Sequence, residues 1–127
     1  MTNGDHTLST MPRSARQIAL EILNHLDHGR RTLDSILEDY SGVGVFDSRP
    51  ERALTQALVY GVLRWRGRLD HIINHFSRTR FNKINPKILN ILRLGLFQII
   101  YLDRIPDSAA VNTAVELAKA SGAPWVV

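Results

Sequence analysis

Fifteen consecutive residues, Ile88 to Leu102, are apolar on almost every side of a helical projection. Ile88, Leu89, Ile91, Leu92, Leu94, Leu96, Phe97, Ile99 and Ile100 are interrupted only by Asn90, Arg93, Gly95 and Gln98 before the run ends in Tyr101 and Leu102. The stretch is too short and too polar to cross a hydrocarbon core of about 30 Å. A helix that is apolar all round is stable in water only when other helices surround it. The rest of the chain must therefore supply a cover, and that requirement shapes every other expectation.

The cover is helical too. Ile18, Ala19, Ile22, Leu23 and Leu26 share one face of a helix over about residues 13–28, and Gly29 stands just past its end. Thr32 caps a short helix with Leu33, Ile36, Leu37 and Tyr40 on its apolar face. A loop with two glycines follows, Ser41 to Asp47. Ser48-Arg-Pro-Glu51 reads as a capping box with proline in the first turn. It opens a long pattern of Leu54, Leu58, Gly61, Val62, Trp65, Leu69, Ile72, Ile73 and Phe76. Gly61 and Gly67 each cost about 1 kcal/mol relative to alanine, so a kink or break is expected near Arg66-Gly67. Asn85-Pro86 starts the central helix, and Asp107 or Ser108 is expected to cap a last one that ends at Gly122 before Pro124. No alternation of period two is long enough for a strand, and no internal repeat is present. The expected fold class is all-α. The apolar end, Pro124-Trp-Val-Val127, reads either as a tail docked on the core or as a chain cut before a further element.

Size and composition agree with one domain. A chain of 127 residues buries roughly two thirds of its unfolded surface. Hydrophobic residues are 44% and charged residues 22%, as in a globular protein. With no cysteine, disulfides, a Cys-ligated metal and a cysteine nucleophile are excluded. Residues 1–12 lack the basic and apolar regions of a signal peptide and are expected to be a disordered leader. A cytoplasmic location and no membrane partner are the default expectations.

Charge is segregated. The net +4 divides into +7 between Tyr60 and Arg93 and −3 elsewhere. Arg64, Arg66, Arg68, Arg78, Arg80, Lys83, Lys87 and Arg93 face a single acid, Asp70. Arginine's planar fork suits phosphate. Arg64 and Arg68 lie one helical turn apart, whereas Arg66 points elsewhere. Phe81, inside the basic loop after the long helix, is available to stack on a base. Arg13, Arg16 and Gln17 form a second point at the start of the first helix, where the helix dipole favours anions. The candidate RNA-binding residues are thus Arg13, Arg16, Gln17, Arg64, Arg66, Arg68, Arg78, Arg80, Lys83 and Lys87. The plainer reading of the same cations is a solvated surface.

No catalytic constellation stands beside them. His71 and His75 have helical i, i+4 spacing without a third ligand, and read as surface histidines. Gly42-Val-Gly44 lacks the strand–loop–helix setting of a phosphate loop. No serine is flanked as a nucleophile elbow, and Glu38-Asp39 sit solvated at a helix end.

Three ordered motifs carry a resemblance: Leu58-Val-Tyr-Gly-Val-Leu-Arg-Trp65 with Leu69-Asp70, Ile91-Leu-Arg-Leu-Gly-Leu-Phe-Gln-Ile-Ile-Tyr101, and Ile105-Pro-Asp-Ser-Ala-Ala-Val-Asn-Thr-Ala-Val-Glu-Leu-Ala-Lys119. Together they resemble the NusB-like RNA-binding domain, and most closely its form at the N-terminus of RsmB-type (Sun/Fmu) ribosomal RNA small-subunit cytosine-5 methyltransferases. The resemblance implies a NusB-like bundle of about six to seven helices around the buried central one, with the family's final helix missing. It implies that residues 13–127 are a truncated domain whose parent is an S-adenosylmethionine-dependent enzyme with its catalytic domain elsewhere. In this chain it implies no catalytic residue, metal or cofactor. The implied partners are ribosomal RNA and the parent's own catalytic domain, with dimerisation through an exposed apolar groove beside the central helix also expected. It further implies that Val111, Ala114, Val115 and Ala118 pack on the central helix, with Gly61 and Gly95 at close helix crossings. The alternatives are a free-standing NusB-type antitermination factor acting in regulation of transcription, and a protein-interaction module.

Overall fold

A computed structural model describes residues 14–40, 42, 45 and 48–126. Among them are five α-helices: α1 (Ala15–His28), α2 (Leu33–Asp39), α3 (Arg49–Phe76), α4 (Pro86–Phe97) and α5 (Asp107–Ala120). A 3₁₀ turn at Phe81–Lys83 and a π-helical turn at Gln98–Leu102 complete the helical elements. The only β-type pairing among the described residues is an isolated bridge, Ile84 to Val126. The all-α expectation holds. The chain divides into two compact units, 1–57 and 58–127, with the division falling inside α3.

In the first unit, α1 begins with a full capping box. Ser14 Oγ accepts from the Gln17 N–H at 3.2 Å, and Gln17 Oε1 accepts from the Ser14 N–H at 2.8 Å. Ile18, Ala19, Ile22 and Leu23 are buried on the face that the sequence pattern marks. Thr32 caps α2 through the Ser35 N–H, as its position suggests. The Tyr40 hydroxyl donates to Glu21 Oε1 at 3.1 Å and joins the end of α2 to α1. At the start of α3, Ser48 Oγ accepts from the Glu51 N–H, while the Glu51 carboxylate reaches the Ala15 N–H of α1 at 3.0 Å. That glutamate thus ties two helix starts together. Outside the helices' apolar faces, Arg31 and Asp39 pair at 2.7 Å, and the guanidinium holds the Asp39 carboxyl below its ordinary range.

In the second unit, α4 is the buried helix expected from its composition. Nine of its residues are buried, from Ile88 to Phe97. Asn85 caps it, with Pro86 in its first turn. Ala110, Ala114 and Ala118 bury one face of α5, and a Cβ on Gly95 would come within 3.4 Å of Ala114 Cβ. Small residues on both sides let α4 and α5 approach closely. Val111 and Val115 are only half-buried.

The expected break near Gly67 does not occur: α3 runs through both glycines. Leu58, Val59, Val62, Leu69, Ile72 and Ile73 are all buried along it. Burial of a side chain of this kind contributes about 1.5–3 kcal/mol, so the row outweighs the propensity cost of two glycines. Gly61 has a positive role, since a Cβ there would lie 2.0–2.5 Å from the Phe97 ring. Gly67 meets nothing within 4 Å. A second expectation also fails: Pro106, not Asp107 or Ser108, holds the N-cap position of α5, with no side-chain cap.

The tail is docked. The Asn85 N–H donates to Trp125 O and its side-chain amide to Pro124 O, both at 2.9 Å. One residue therefore caps α4 and holds the chain after Gly122, whose φ of +73° makes the turn out of α5.

Candidate nucleic-acid interface

The eight cations between Tyr60 and Arg93 do not have one fate. Arg93, on the buried helix, has only 4% of its side chain exposed. Its Nε donates to Asp70 Oδ1 at 2.7 Å, its Nη2 to Asp70 Oδ2 at 3.1 Å, and its Nη1 to Asn90 Oδ1 at 3.0 Å. This bidentate pair removes Arg93 from the basic surface. A desolvated guanidinium needs such partners, because an unpaired charge in a core is very costly. Phe81 changes role as well. It is half-buried, with the Arg93 guanidinium 6.0 Å from its ring centre, so it packs against the ion pair instead of standing free for a base.

Since Asp70 and Arg93 cancel, the segment's surplus rests on the other seven cations. Arg64, Arg68, Arg78, Arg80, Lys83 and Lys87 are exposed, and Arg66 is partly so. Arg66 lies 4.0 Å from Asp70. Arg68 lies 3.6 Å from Asp107 at the start of α5, both solvent-exposed. Exposed pairs of this kind are worth little and do not withdraw the arginines from a polyanion. Arg64 has no carboxylate within 4 Å among the described residues, and its guanidinium lies 5.6 Å from the centre of the Trp65 ring. Arg80 precedes the 3₁₀ turn, Lys83 closes it, and Lys87 stands in the first turn of α4. Arg78 lines a groove of about 460 Å³ together with Lys119 and the apolar side chains of Leu92, Leu96, Val111 and Val115. A groove therefore lies beside the central helix, and its lining mixes these apolar side chains with Ser77, Thr79 and Asn112.

In the first unit, Arg16 is exposed, and Gln17 spends its side-chain oxygen on the α1 cap, leaving its amide NH2 outward. Arg13 lies outside the described residues. His71 and His75 are exposed with ring centres 6.5 Å apart. No group of three or more His, Cys, Asp or Glu is placed to hold a metal among the described residues. No described helix is long and apolar enough to cross a membrane.

Sequence reasoning assigned Trp65 to the apolar face of α3, and the structure leaves it at the margin of that face, only partly covered. The indole is 38% exposed. Its ring stacks on Tyr101 with centres 5.0 Å apart, and Tyr101 stacks on Phe97 at 5.5 Å. The sequence does hold a signal for this, since Trp65 is interleaved between Arg64 and Arg66.

An all-α chain with a buried glycine-bearing helix, tight α4–α5 contact and a basic α3 matches one family model, the NusB family, over residues 13–126. The chain belongs to the NusB family. Two kinds of relative share this NusB-type sequence. It is 40% identical to the probable ribosomal RNA small subunit methyltransferase B of Synechocystis over 86% of its own length and 24% of that protein's. The corresponding Bacillus subtilis protein is 36% identical, with the same shares covered. The transcription antitermination protein NusB of Bacillus velezensis is 32% identical over 87% of this chain and 82% of the relative. The NusB-type chain thus spans about a quarter of the length of the methyltransferases it matches. No solved structure matches it.

Proposed function

We propose that residues 13–127 are an RNA-binding accessory domain of an S-adenosylmethionine-dependent ribosomal RNA cytosine-5 methyltransferase. The domain holds small-subunit ribosomal RNA for a catalytic domain carried outside these 127 residues. The observation that carries this reading is the set of seven accessible cations from Arg64 to Lys87, left in surplus once Asp70 and Arg93 have neutralised each other. Cations in such an array neutralise phosphates and supply affinity without reading sequence. Selectivity then comes from RNA shape or from unpaired bases. Support for the methyltransferase setting comes from the two relatives of that name, which share more identity with this chain than the antitermination relative does. Chemistry on the methyl donor belongs to the catalytic domain, and the residues described here supply binding and position.

A free-standing antitermination factor is the second reading, favoured by the 82% of the Bacillus velezensis protein that the chain covers. The two readings separate on RNA preference and on the gene. Tighter binding to small-subunit ribosomal RNA fragments than to unrelated RNA of equal length, with a reading frame that continues beyond codon 127 into a methyltransferase domain, is the expected result. A stop codon there would contradict the accessory-domain reading and leave the second. Tight association with a separately supplied catalytic domain and no RNA binding at all would instead favour a protein-interaction module.

A further inference from the structure

At the margin of the packed face of α3 stands an aromatic that is only partly covered. Trp65 is the outermost of three stacked rings, Phe97, Tyr101 and Trp65. Each inner ring has a structural reason to be where it is. Gly61 leaves the space that Phe97 fills. The π-helical turn Gln98–Leu102 departs from the α-helical register just where Tyr101 must meet both neighbours. The Tyr101 hydroxyl is buried with no hydrogen-bond partner among the described residues, and the ring is held by stacking. Two residues past the turn, Arg104 is a non-glycine residue at φ +58°, an uncommon and mildly costly conformation. Wide helical turns and strained residues of this kind concentrate at functional sites. Here they support a ring that is still more than a third exposed.

Charge around the ring selects the occupant. Between Glu51 and Asp70, α3 itself carries no acid, and the carboxylate nearest these arginines is that of Asp107, 3.6 Å from the exposed Arg68. Arg64 lies at the indole, and Arg68 follows one turn later. A planar aromatic on a rigid helix, flanked by arginines, has the elements of a stacking platform for single-stranded nucleic acid. The Arg64 guanidinium lies over the ring, 5.6 Å from its centre, a placement that a purely apolar protein contact would not need.

We propose that Trp65 receives an unpaired base of single-stranded RNA, with Arg64 and Arg68 contacting the flanking phosphates. This rests on the RNA-binding reading above and adds to it the class of RNA and the residue that selects it. Every base has a π-face, so the platform discriminates strandedness and not base identity.

The test uses Trp65→Phe and Trp65→Leu. Both cover Tyr101, but only phenylalanine presents a π-face. Thermal melting confirms that each folds. Binding to a single-stranded oligoadenylate RNA and to an RNA duplex of equal length is measured at one salt concentration. Trp65→Leu is expected to bind the single strand about tenfold more weakly than wild type, as loss of one base stack implies. Trp65→Phe retains most of the affinity, and neither substitution changes duplex binding. In a Trp125→Phe background, Trp65 fluorescence is expected to be quenched by the single strand and not by the duplex. Equal single-strand binding by Trp65→Leu and Trp65→Phe, or equal quenching by both RNAs, overturns the proposal and leaves the ring as a protein contact. If the wild-type chain binds neither RNA, the platform and the RNA-binding reading fall together. Salt-sensitive binding that ignores Trp65 removes the platform alone.

Discussion

Arg93 and Arg64 are the same residue type in the same basic segment, and the structure gives them opposite work. Arg93 is locked onto Asp70 and Asn90 inside the second unit, whereas Arg64 is exposed beside an indole. The sequence separates them in part, since Arg93 interrupts the apolar run of the enclosed helix and Arg64 does not, but the carboxylate that pairs with Arg93 lies 23 residues away along the chain. The sequence did show Asp70 as the lone acid of the segment. What it did not show was which of eight cations that acid would choose. Burial of the helix made the choice, since only a desolvated guanidinium gains strongly from a bidentate carboxylate. Arg93→Ala is therefore expected to cost about 1–3 kcal/mol, because it opens a cavity and leaves Asn90 and the part-buried Asp70 short of a hydrogen-bond partner. Urea denaturation measures this directly. A loss no larger than that of an exposed arginine would show that the pair is dispensable.

At the scale of elements, the parts that local chemistry controls were legible. The Thr32 and Asn85 caps, the Pro86 helix start and the Gly122 exit stand where local chemistry placed them. Two misjudgements came from weighing a local penalty without the packing that opposes it. Gly67 was expected to break α3, but the buried row from Leu58 to Ile73 carries the helix through it. The α5 start was expected at a capping side chain, but Pro106 sets it through its own fixed backbone. The π-helical turn left no mark in the sequence, and it coincides with the ring contact between Phe97, Tyr101 and Trp65. The two glycines of α3 separate cleanly by experiment. Gly67→Ala enters open space and is expected to raise stability by up to about 1 kcal/mol. Gly61→Ala drives a methyl into the Phe97 ring and is expected to lower it by about 1–3 kcal/mol. Thermal unfolding of the two variants reads both signs, and a stabilising Gly61→Ala would contradict the close crossing.

For the whole molecule, the apolar stretch of Ile88 to Leu102 was sufficient to foretell an all-α protein with one enclosed helix, and α4 fulfils that role within the second unit. Family membership follows the same motifs, over residues 13–126. The candidate interface was legible as a charge distribution. The segment's excess survives in the structure, while Phe81 packs by Arg93 and Trp65 stands at the margin of the packed face of α3. Function at this scale depends on whether the surplus meets phosphate. The direct measurement is the affinity for a single-stranded small-subunit ribosomal RNA fragment from about 50 to 300 mM salt, for the wild-type chain and for Arg64→Ala with Arg68→Ala. Wild-type affinity should fall linearly on logarithmic axes, and loss of the two arginines should reduce the slope by about 1.4, at roughly 0.7 per phosphate contact. The double variant should stay folded, because both side chains are exposed. Binding that is flat in salt, absent at the lowest salt, or unchanged in slope without the two arginines would contradict a phosphate-binding surface on α3.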